Sequence, residues 1–519
     1  MNQMNQTKLP SYIFGALLGL ILASLIISLN LNPTADITWR LHVAGEILAG
    51  KEIYRDVIET NPPLWFWASL GWRSIANQFN LDAYLIMCVG IHGLSIVALL
   101  TLNRLARDTL NVWERGGLLF GFIVGYLFVS VGEIGQREQA LFVGATLWIA
   151  LACARIERRK VPISLVVVVT LFAAYGFALK HYFVAIPVIT ELFLLGALRR
   201  NYRPIRLETC ILGLAAICYA LAVVYFVPLF LTRIVPLVSI AYSGFGSMMS
   251  APFHVRLLFA FFQTAFVILP VIALIFAKSR PKMVLGMIML MGVTAILVWL
   301  QLKGWRYHKL ASQAAAITAL TMLLSAALGR GGQRNYREIR VAIACLVVAT
   351  YIFIVAPFTS ILRTNGQPVV PAIRELVFSE PQNSRIAMLS VAPEHAFYIF
   401  DRAKRPQWSR HYGMWMLPGL QAVNTGAATE PKRLEELARV RREFIADLQC
   451  VPPDVVISEQ GEVIVGLVLP IDTLGFLKQD ILFTKWFDSA YRQTDQFGIY
   501  RVWRLIGARP QNGACPRDP

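Results

Sequence analysis

Charge is scarce in this chain. Only 15% of its 519 residues are Asp, Glu, Lys or Arg, and 56% are hydrophobic. A soluble fold of that length needs far more polar surface. Cysteine is sparse as well: seven residues, with no Cys-x-x-Cys pair and no Cys/His cluster at zinc spacing, which leaves no structural zinc site to read. There is no internal repeat and no low-complexity tract. Acids are almost missing from the apolar blocks, the clearest exception being Glu191, close to a loop. A transporter is expected to keep ionisable groups inside its spans near the midplane, so their scarcity argues against a pathway through the bilayer.

What the chain does have is apolar residues in blocks of roughly 18–22, long enough to cross about 30 Å of hydrocarbon. Net charge is +18, but the Lys and Arg residues lie in short clusters between apolar blocks, as cytoplasmic loops do. No basic stripe with interleaved aromatics exists, so nucleic acid is not a partner. The first block, Tyr12 to Leu31, is too long for a signal-peptide core and ends in Asn30-Leu31-Asn32-Pro33 rather than small residues, so it is read as a retained span.

Spans are expected near 11–31, 82–103, 116–131, 140–154, 162–179, 182–198, 208–227, 256–277, 283–300, 310–328 and 341–357, about eleven in all. With the N-terminus cytoplasmic, the loops after even-numbered spans are inside. These carry Arg104, Arg107 and Arg115; Arg155, Arg158, Arg159 and Lys160; Arg199, Arg200, Arg203 and Arg206; Lys278, Arg280 and Lys282; and Arg330, Arg334, Arg337 and Arg340. Each of these loops obeys the positive-inside rule. Loops 32–81, 132–139, Lys180–His181, 228–255 and 301–309 then face outside, as does everything after 357.

The expected fold class is therefore a polytopic α-helical membrane protein of the cytoplasmic (inner) membrane. A multi-pass transmembrane domain over 1–357, with juxtamembrane helices in its first exterior loop, is followed by a small extracytoplasmic α/β domain over 358–519. Arg385–Val391 and Val455–Ser458 read as buried strands, and 430–448 as a charged amphipathic helix. Cys88, Cys153, Cys210, Cys218 and Cys345 lie in or beside spans and read as small buried hydrophobes. Cys450 and Cys515 are the two in the exterior domain, where an oxidising compartment favours a disulfide between them.

Polar chemistry collects in the exterior loops. The first contains Asp36, Arg40 and His42; then Gly50-Lys51-Glu52-Ile53-Tyr54-Arg55-Asp56; then Glu59-Thr60-Asn61-Pro62-Pro63-Leu64-Trp65. Asp36 and Arg40 share a helical face, and the Pro-Pro pair separates two segments. Three more loops hold compact polar groups: Gly132–Gln139 with Arg137, Lys180-His181-Tyr182, and Lys303–Lys309 with Arg306 and His308. Each alone reads equally well as an interfacial loop with snorkelling cations. Together, on one side, they pair carboxylates fit for general-base work with cations fit for phosphate, which suggests a lipid-phosphate substrate.

These residues resemble the GT-C superfamily of membrane glycosyltransferases, in particular the group of protein O-mannosyltransferases and the lipid A aminoarabinose transferase. That group keeps a carboxylate after the first span and an acid-Lys-Pro-Pro-Leu element, followed by aromatics, at the end of the first large loop. Asp36 occupies the first place and Glu59-Thr60-Asn61-Pro62-Pro63-Leu64-Trp65 the second. Asn61 stands where the group has Lys, and an Asp-x-Asp pair is absent. The resemblance implies transfer of one sugar from a polyprenyl-phosphate donor to an extracytoplasmic glycan, lipid or protein, with inversion. It implies Asp36 as base, with Glu59 and Asp56 in support. Arg40, His42, Tyr54, Asn61, Arg137, Lys180, His181, Lys303, Arg306 and His308 become substrate-binding candidates. No cofactor is obligatory: a divalent metal fits such chemistry, but nothing in the sequence calls for one. The rival readings are a non-enzymatic lipid-linked sugar transporter or assembly partner, and an O-antigen polymerase or ligase.

Overall fold

The structure is a computed structural model. It describes residues 9–248, 258, 261, 264–301, 305–330, 336–364, 371–391, 399–400, 403–405, 408–421, 430–464 and 468–507. The chain divides into two compact units. The first comprises 1–33, 67–222 and 253–365, and the second 34–66, 223–252 and 366–519. The second unit thus gathers the C-terminal region with two earlier segments, one within the expected loop 32–81 and one running from the end of the expected span at 208–227 through most of the expected loop 228–255.

The chain is mostly helical. Among the described residues, eight helices are long and apolar enough to cross a membrane: Ser11–Asn30, Ala83–Ala106, Arg137–Ile156, His181–Asn201, Leu207–Phe226, Lys282–Leu300, Arg306–Leu328 and Tyr336–Leu362. They match eight of the expected spans. The expected span at 116–131 is a Val112–Ile123 α-helix continued by a π-turn over Val124–Phe128. That at 162–179 is the shorter Ile163–Ala178 helix, and that at 256–277 is described mainly as Ala265–Phe276. A further short apolar helix, Phe230–Tyr242, lies in what reads as an exterior loop.

Local chemistry sets the helix starts. The Asp82 carboxylate accepts from the Tyr84 and Leu85 N–H groups, at 2.6 and 3.1 Å, and caps the Ala83–Ala106 helix. Asn111 and Glu114 form a reciprocal capping box ahead of Val112. In the first unit the Ala-rich Leu310–Leu328 helix is almost wholly buried. Gly121 packs on it so closely that an added Cβ would lie 2.7 Å from the Thr318 Cα, the small-residue contact expected between helices in lipid. By contrast, Leu214, Ile217 and Leu221 of the Leu207–Phe226 helix are exposed, a face suited to hydrocarbon rather than water.

The basic loops come together. Arg155 pairs with Glu208 at 3.0 Å, and Arg206 with Glu208 at 3.0 Å and Glu191 at 2.5 Å. Lys282 approaches Glu157 at 3.9 Å, and Arg330 pairs with Glu338 at 2.6 Å. The Lys278 N–H donates to Glu338 at 3.3 Å, and the Ser279 hydroxyl to Glu114 at 3.4 Å. Glu191 therefore belongs to this loop network. The helix beginning at Arg137 ends here, at Ile156, and its 20 residues separate its two ends by about 30 Å.

In the second unit five strands form one sheet: β1 (Ile386–Leu389), β2 (Val455–Ile464), β3 (Val468–Asp472), β4 (Tyr491–Phe497) and β5 (Tyr500–Leu505). The order is β1-β2-β5-β4, with β3 paired to the far half of β2. Among the described strands β1 and β2 run parallel, Ile386 opposite Val455, and the other pairings are antiparallel. Ile373, Val377, Ile386, Met388, Val455, Ile457 and Val502 make the core. The expected amphipathic helix is Glu430–Cys450. Cys450, its last residue, is disulfide-bonded. Cys515 lies outside the described residues, and the other five cysteines are free.

Candidate active site

The functional candidates fall in two clusters, one in each unit. In the second unit the Ala35–Leu48 helix follows Thr34, whose side chain makes no capping bond. Asp36 is half-buried in its first turn, where the helix dipole favours an anion. Arg40 is buried. Its Nε–H donates to the Trp65 carbonyl at 3.2 Å, and its guanidinium lies 5.3 Å from the Trp65 ring centroid. His42 stacks on Trp39 at 5.5 Å and approaches Glu46 at 3.9 Å.

Glu59 is the hub of the Pro-Pro segment. It is 1% exposed. One carboxylate oxygen accepts from the Thr60 N–H at 2.7 Å, the Asn61 N–H at 2.8 Å and the Asn61 side-chain amide at 2.6 Å. The other accepts from the Trp39 indole N–H. Burial pushes its pKa up and outweighs these donors, which pull it down. Asn61 is thus an internal partner of Glu59. Tyr54 is fully buried with φ +74°, a strained region for a bulky side chain. It is held by its hydroxyl, which donates to the Asn61 carbonyl at 2.7 Å, and by its N–H, which donates to the Val57 carbonyl at 2.8 Å. Asp56 accepts from the Glu52 N–H at 2.8 Å and shapes this turn. The neighbouring charges pair elsewhere, Arg55 with Glu52 and Lys51 with Glu46.

Partners from distant segments hold this loop, and sequence reasoning missed them. The Ile58 N–H donates to the Arg410 carbonyl at 2.7 Å. Tyr412 packs on Trp39 with centroids 4.2 Å apart. Arg233 donates to the Tyr54 carbonyl at 3.3 Å and to Glu443, whose other oxygen accepts from His411 Nε2 at 2.7 Å. Burial would raise the Glu443 carboxyl, but the His411 hydrogen bond and the His411, Arg233 and Arg439 charges prevail and bring it down to about 2. One signal was readable: Arg233 is the single charged residue between 209 and 253, and a lone charge in an apolar run calls for a partner.

The second cluster lies in the first unit. The loop 130–139 is buried throughout. It turns at Gly132 and Gly135, with φ +79° and +100°, a backbone that favours glycine. Lys180 forms an ion pair with Glu138, and its ammonium lies 5.2 Å from the Tyr307 ring centroid. The Arg137 guanidinium lies 5.9 Å from the same ring. Arg306 donates to the Val131 carbonyl at 2.9 Å, and His308 is buried against Tyr307. The Gln136 amide donates to Glu133 at 3.2 Å. Three loops far apart in sequence thus bring Arg137, Lys180 and Arg306 to one end of the helices, with Glu133 and Glu138 among them. His181 is exposed beside Tyr182. Lys303 lies outside the described residues. Among the described residues no group of three or more His, Cys, Asp or Glu side chains could hold a metal ion.

No family model matches the chain, and no curated protein does. Among solved structures it is similar to the single-particle cryo-EM structure of arabinofuranosyltransferase AftD from mycobacteria, with 12% sequence identity and a TM-score of 0.49. The similarity covers 97% of this chain and 40% of that one, so the chain spans two fifths of that protein's length.

Proposed function

We propose that this chain is an inverting glycosyltransferase that moves a sugar from a polyprenyl-phosphate donor to a hydroxyl-bearing acceptor outside the cytoplasmic membrane. The observation that carries the reading is the meeting of Arg137 and Lys180 at the Tyr307 ring, with Arg306 on the Val131 carbonyl of the same loop as Arg137, at one end of membrane-length helices. Buried and half-buried cations at the edge of a lipid phase suit a lipid-linked phosphate, Arg by paired hydrogen bonds and Lys as a point charge. The motif resemblance around Asp36 and Glu59 supplies the reaction type.

In the proposed mechanism Asp36 takes the proton of the acceptor hydroxyl. The oxygen attacks the anomeric carbon as the bond from that carbon to the phosphate oxygen breaks. The bonding pair leaves with polyprenyl phosphate, and the configuration inverts. Cations that hold the donor neutralise the charge gathering on the phosphate. The Glu59 network fixes the turn that follows the Asp36 helix. A phosphate leaving group already carries its charge, so the step is balanced without a metal.

Incubation of the purified chain with a panel of radiolabelled polyprenyl-phosphate sugars tests this. Transfer of label to a water-soluble or lipid acceptor, abolished by Asp36→Asn, is the expected result. Specific binding of these donors with no transfer to any acceptor class would favour the transporter reading.

A further inference from the structure

The sheet-bearing region raises the question of whether it only covers the loop at 53–61 or sets its geometry. The Glu430–Cys450 helix presents Glu443 and Asp447, one turn apart, to the segment Ser409–His411. Asp447 accepts from the Ser409 hydroxyl at 2.7 Å, from the Arg410 N–H at 3.0 Å, and from the Arg410 guanidinium at 2.9 and 3.1 Å. That grip aims the Arg410 carbonyl at the Ile58 N–H, and Ile58 and His411 form a short parallel bridge. Glu443 is the second grip. One oxygen holds His411 Nε2, and the other holds Arg233, which in turn reaches the Tyr54 carbonyl. The Glu443 side chain is 9% exposed and that of His411 2%, and the His411 ring stacks on Phe444 at 4.7 Å. A single buried carboxylate therefore touches the loop from two sides: through Arg233 at Tyr54 and through His411 at Ile58.

Everything downstream of those two contacts leads to the candidate base. Tyr54, in its left-handed conformation, fixes the Asn61 carbonyl through its hydroxyl. Asn61 fixes Glu59, and Glu59 fixes Trp39, one helical turn after Asp36. We infer that Glu443 is a positioning residue: it sets the Tyr54–Asn61 turn, and through Glu59 and Trp39 the pose of the Asp36 helix. This inference rests on the reading of Asp36 and Glu59 given above. Gln in place of Glu443 keeps the volume but removes the negative charge that Arg233 and His411 share, so the charge-assisted hold on Arg233 becomes an ordinary, weaker hydrogen bond.

The test uses the full chain in nanodiscs, with Glu443→Gln, Arg233→Met and the pair combined. Hydrogen exchange is followed over 53–61, with the β1, β2 and β5 amides as the internal control. Each single variant is expected to speed exchange across 54–61 by about tenfold or more while the sheet amides stay protected. The double variant should add little to either, because both act through one contact chain. Sugar transfer should lose kcat with donor KM unchanged. Unaltered exchange over 54–61 in both single variants overturns the inference, as does altered exchange with kcat intact, which leaves Glu443 a purely structural clamp. If the unmodified chain transfers no sugar from any lipid-linked donor, the enzymatic reading falls, while the exchange result still decides whether Glu443 orders the loop.

Discussion

Asp36→Asn separates a catalytic carboxylate from a helix-start ornament. The change keeps side-chain size and one acceptor oxygen, so the half-buried site does not become a void. Asp36 is the second residue of the Ala35–Leu48 helix and not its cap, which is Thr34. One structural term the substitution removes is the attraction between an anion and the helix N-terminus, about 0.3–1 kcal/mol. A midpoint shift of a few degrees at most is the expected thermal effect. The chemical consequence is larger. A positioned base is worth about 10²–10⁴ in rate for a weak hydroxyl nucleophile, or on the order of 3–5 kcal/mol of barrier. Single-turnover transfer from a radiolabelled polyprenyl-phosphate sugar should therefore slow at least about a hundredfold, with donor binding and melting behaviour nearly unchanged. A well-folded Asp36→Asn chain that turns over at close to the normal rate would refute the assignment and leave Asp36 as a helix-dipole residue.

Trp39→Phe keeps the contact with Tyr412 but removes the N–H that Glu59 accepts; it should cost about 1–3 kcal/mol in denaturant melts and slow transfer without changing donor KM. Glu59→Gln should remove a pH slope: burial lifts the Glu59 pKa, so the unmodified chain loses stability as pH rises from about 4.5 through the folded-state value, and the Gln variant does not. Glu443 has the opposite sign: at about 2 it lies below its ordinary value, so its stabilisation, on the order of 3 kcal/mol, is present above pH about 4.5 and lost as pH falls towards 2, measurable as the melting difference from Glu443→Gln. Lys180→Met leaves Glu138 without its ion partner and should cost about 3–5 kcal/mol; adding Glu138→Gln should restore folding but not donor binding. A reporter active only outside the cytoplasm should work when fused at Pro519 and stay silent at Gly331, and the reverse pattern would invert the topology.

Most helices were legible in the sequence because a membrane span is a one-dimensional property. Length and apolar content settle it, as for Ser11–Asn30 or Lys282–Leu300. The alternating basic clusters are a one-dimensional record too, and in the structure their Arg155 and Arg206 share Glu208 while Lys282 and Arg330 find Glu157 and Glu338. Loops 132–139, 180–182 and 301–309, far apart in sequence, meet where Lys180 contacts Glu138 and Tyr307. The spans at 162–179 and 256–277 were harder, because their described helices are shorter than their apolar runs. The helix from Phe230 escaped notice because a short apolar run carries no topological mark of its own.

The sequence by itself determined which residue types stand where: an acid after the first span, an acid before Pro-Pro, and cations in alternate loops. Hydropathy and charge act locally and leave that record in order along the chain. Only tertiary structure decided what those residues touch. It made Glu59 a buried hub whose oxygens are spent on Trp39, Thr60 and Asn61, where the motif alone offered a second open carboxylate. It joined Arg233, His411 and Glu443, residues separated by up to 210 positions, into one support for Tyr54. Such contacts arise because a buried charge must find a partner in space, and no periodicity in the chain records which partner that will be.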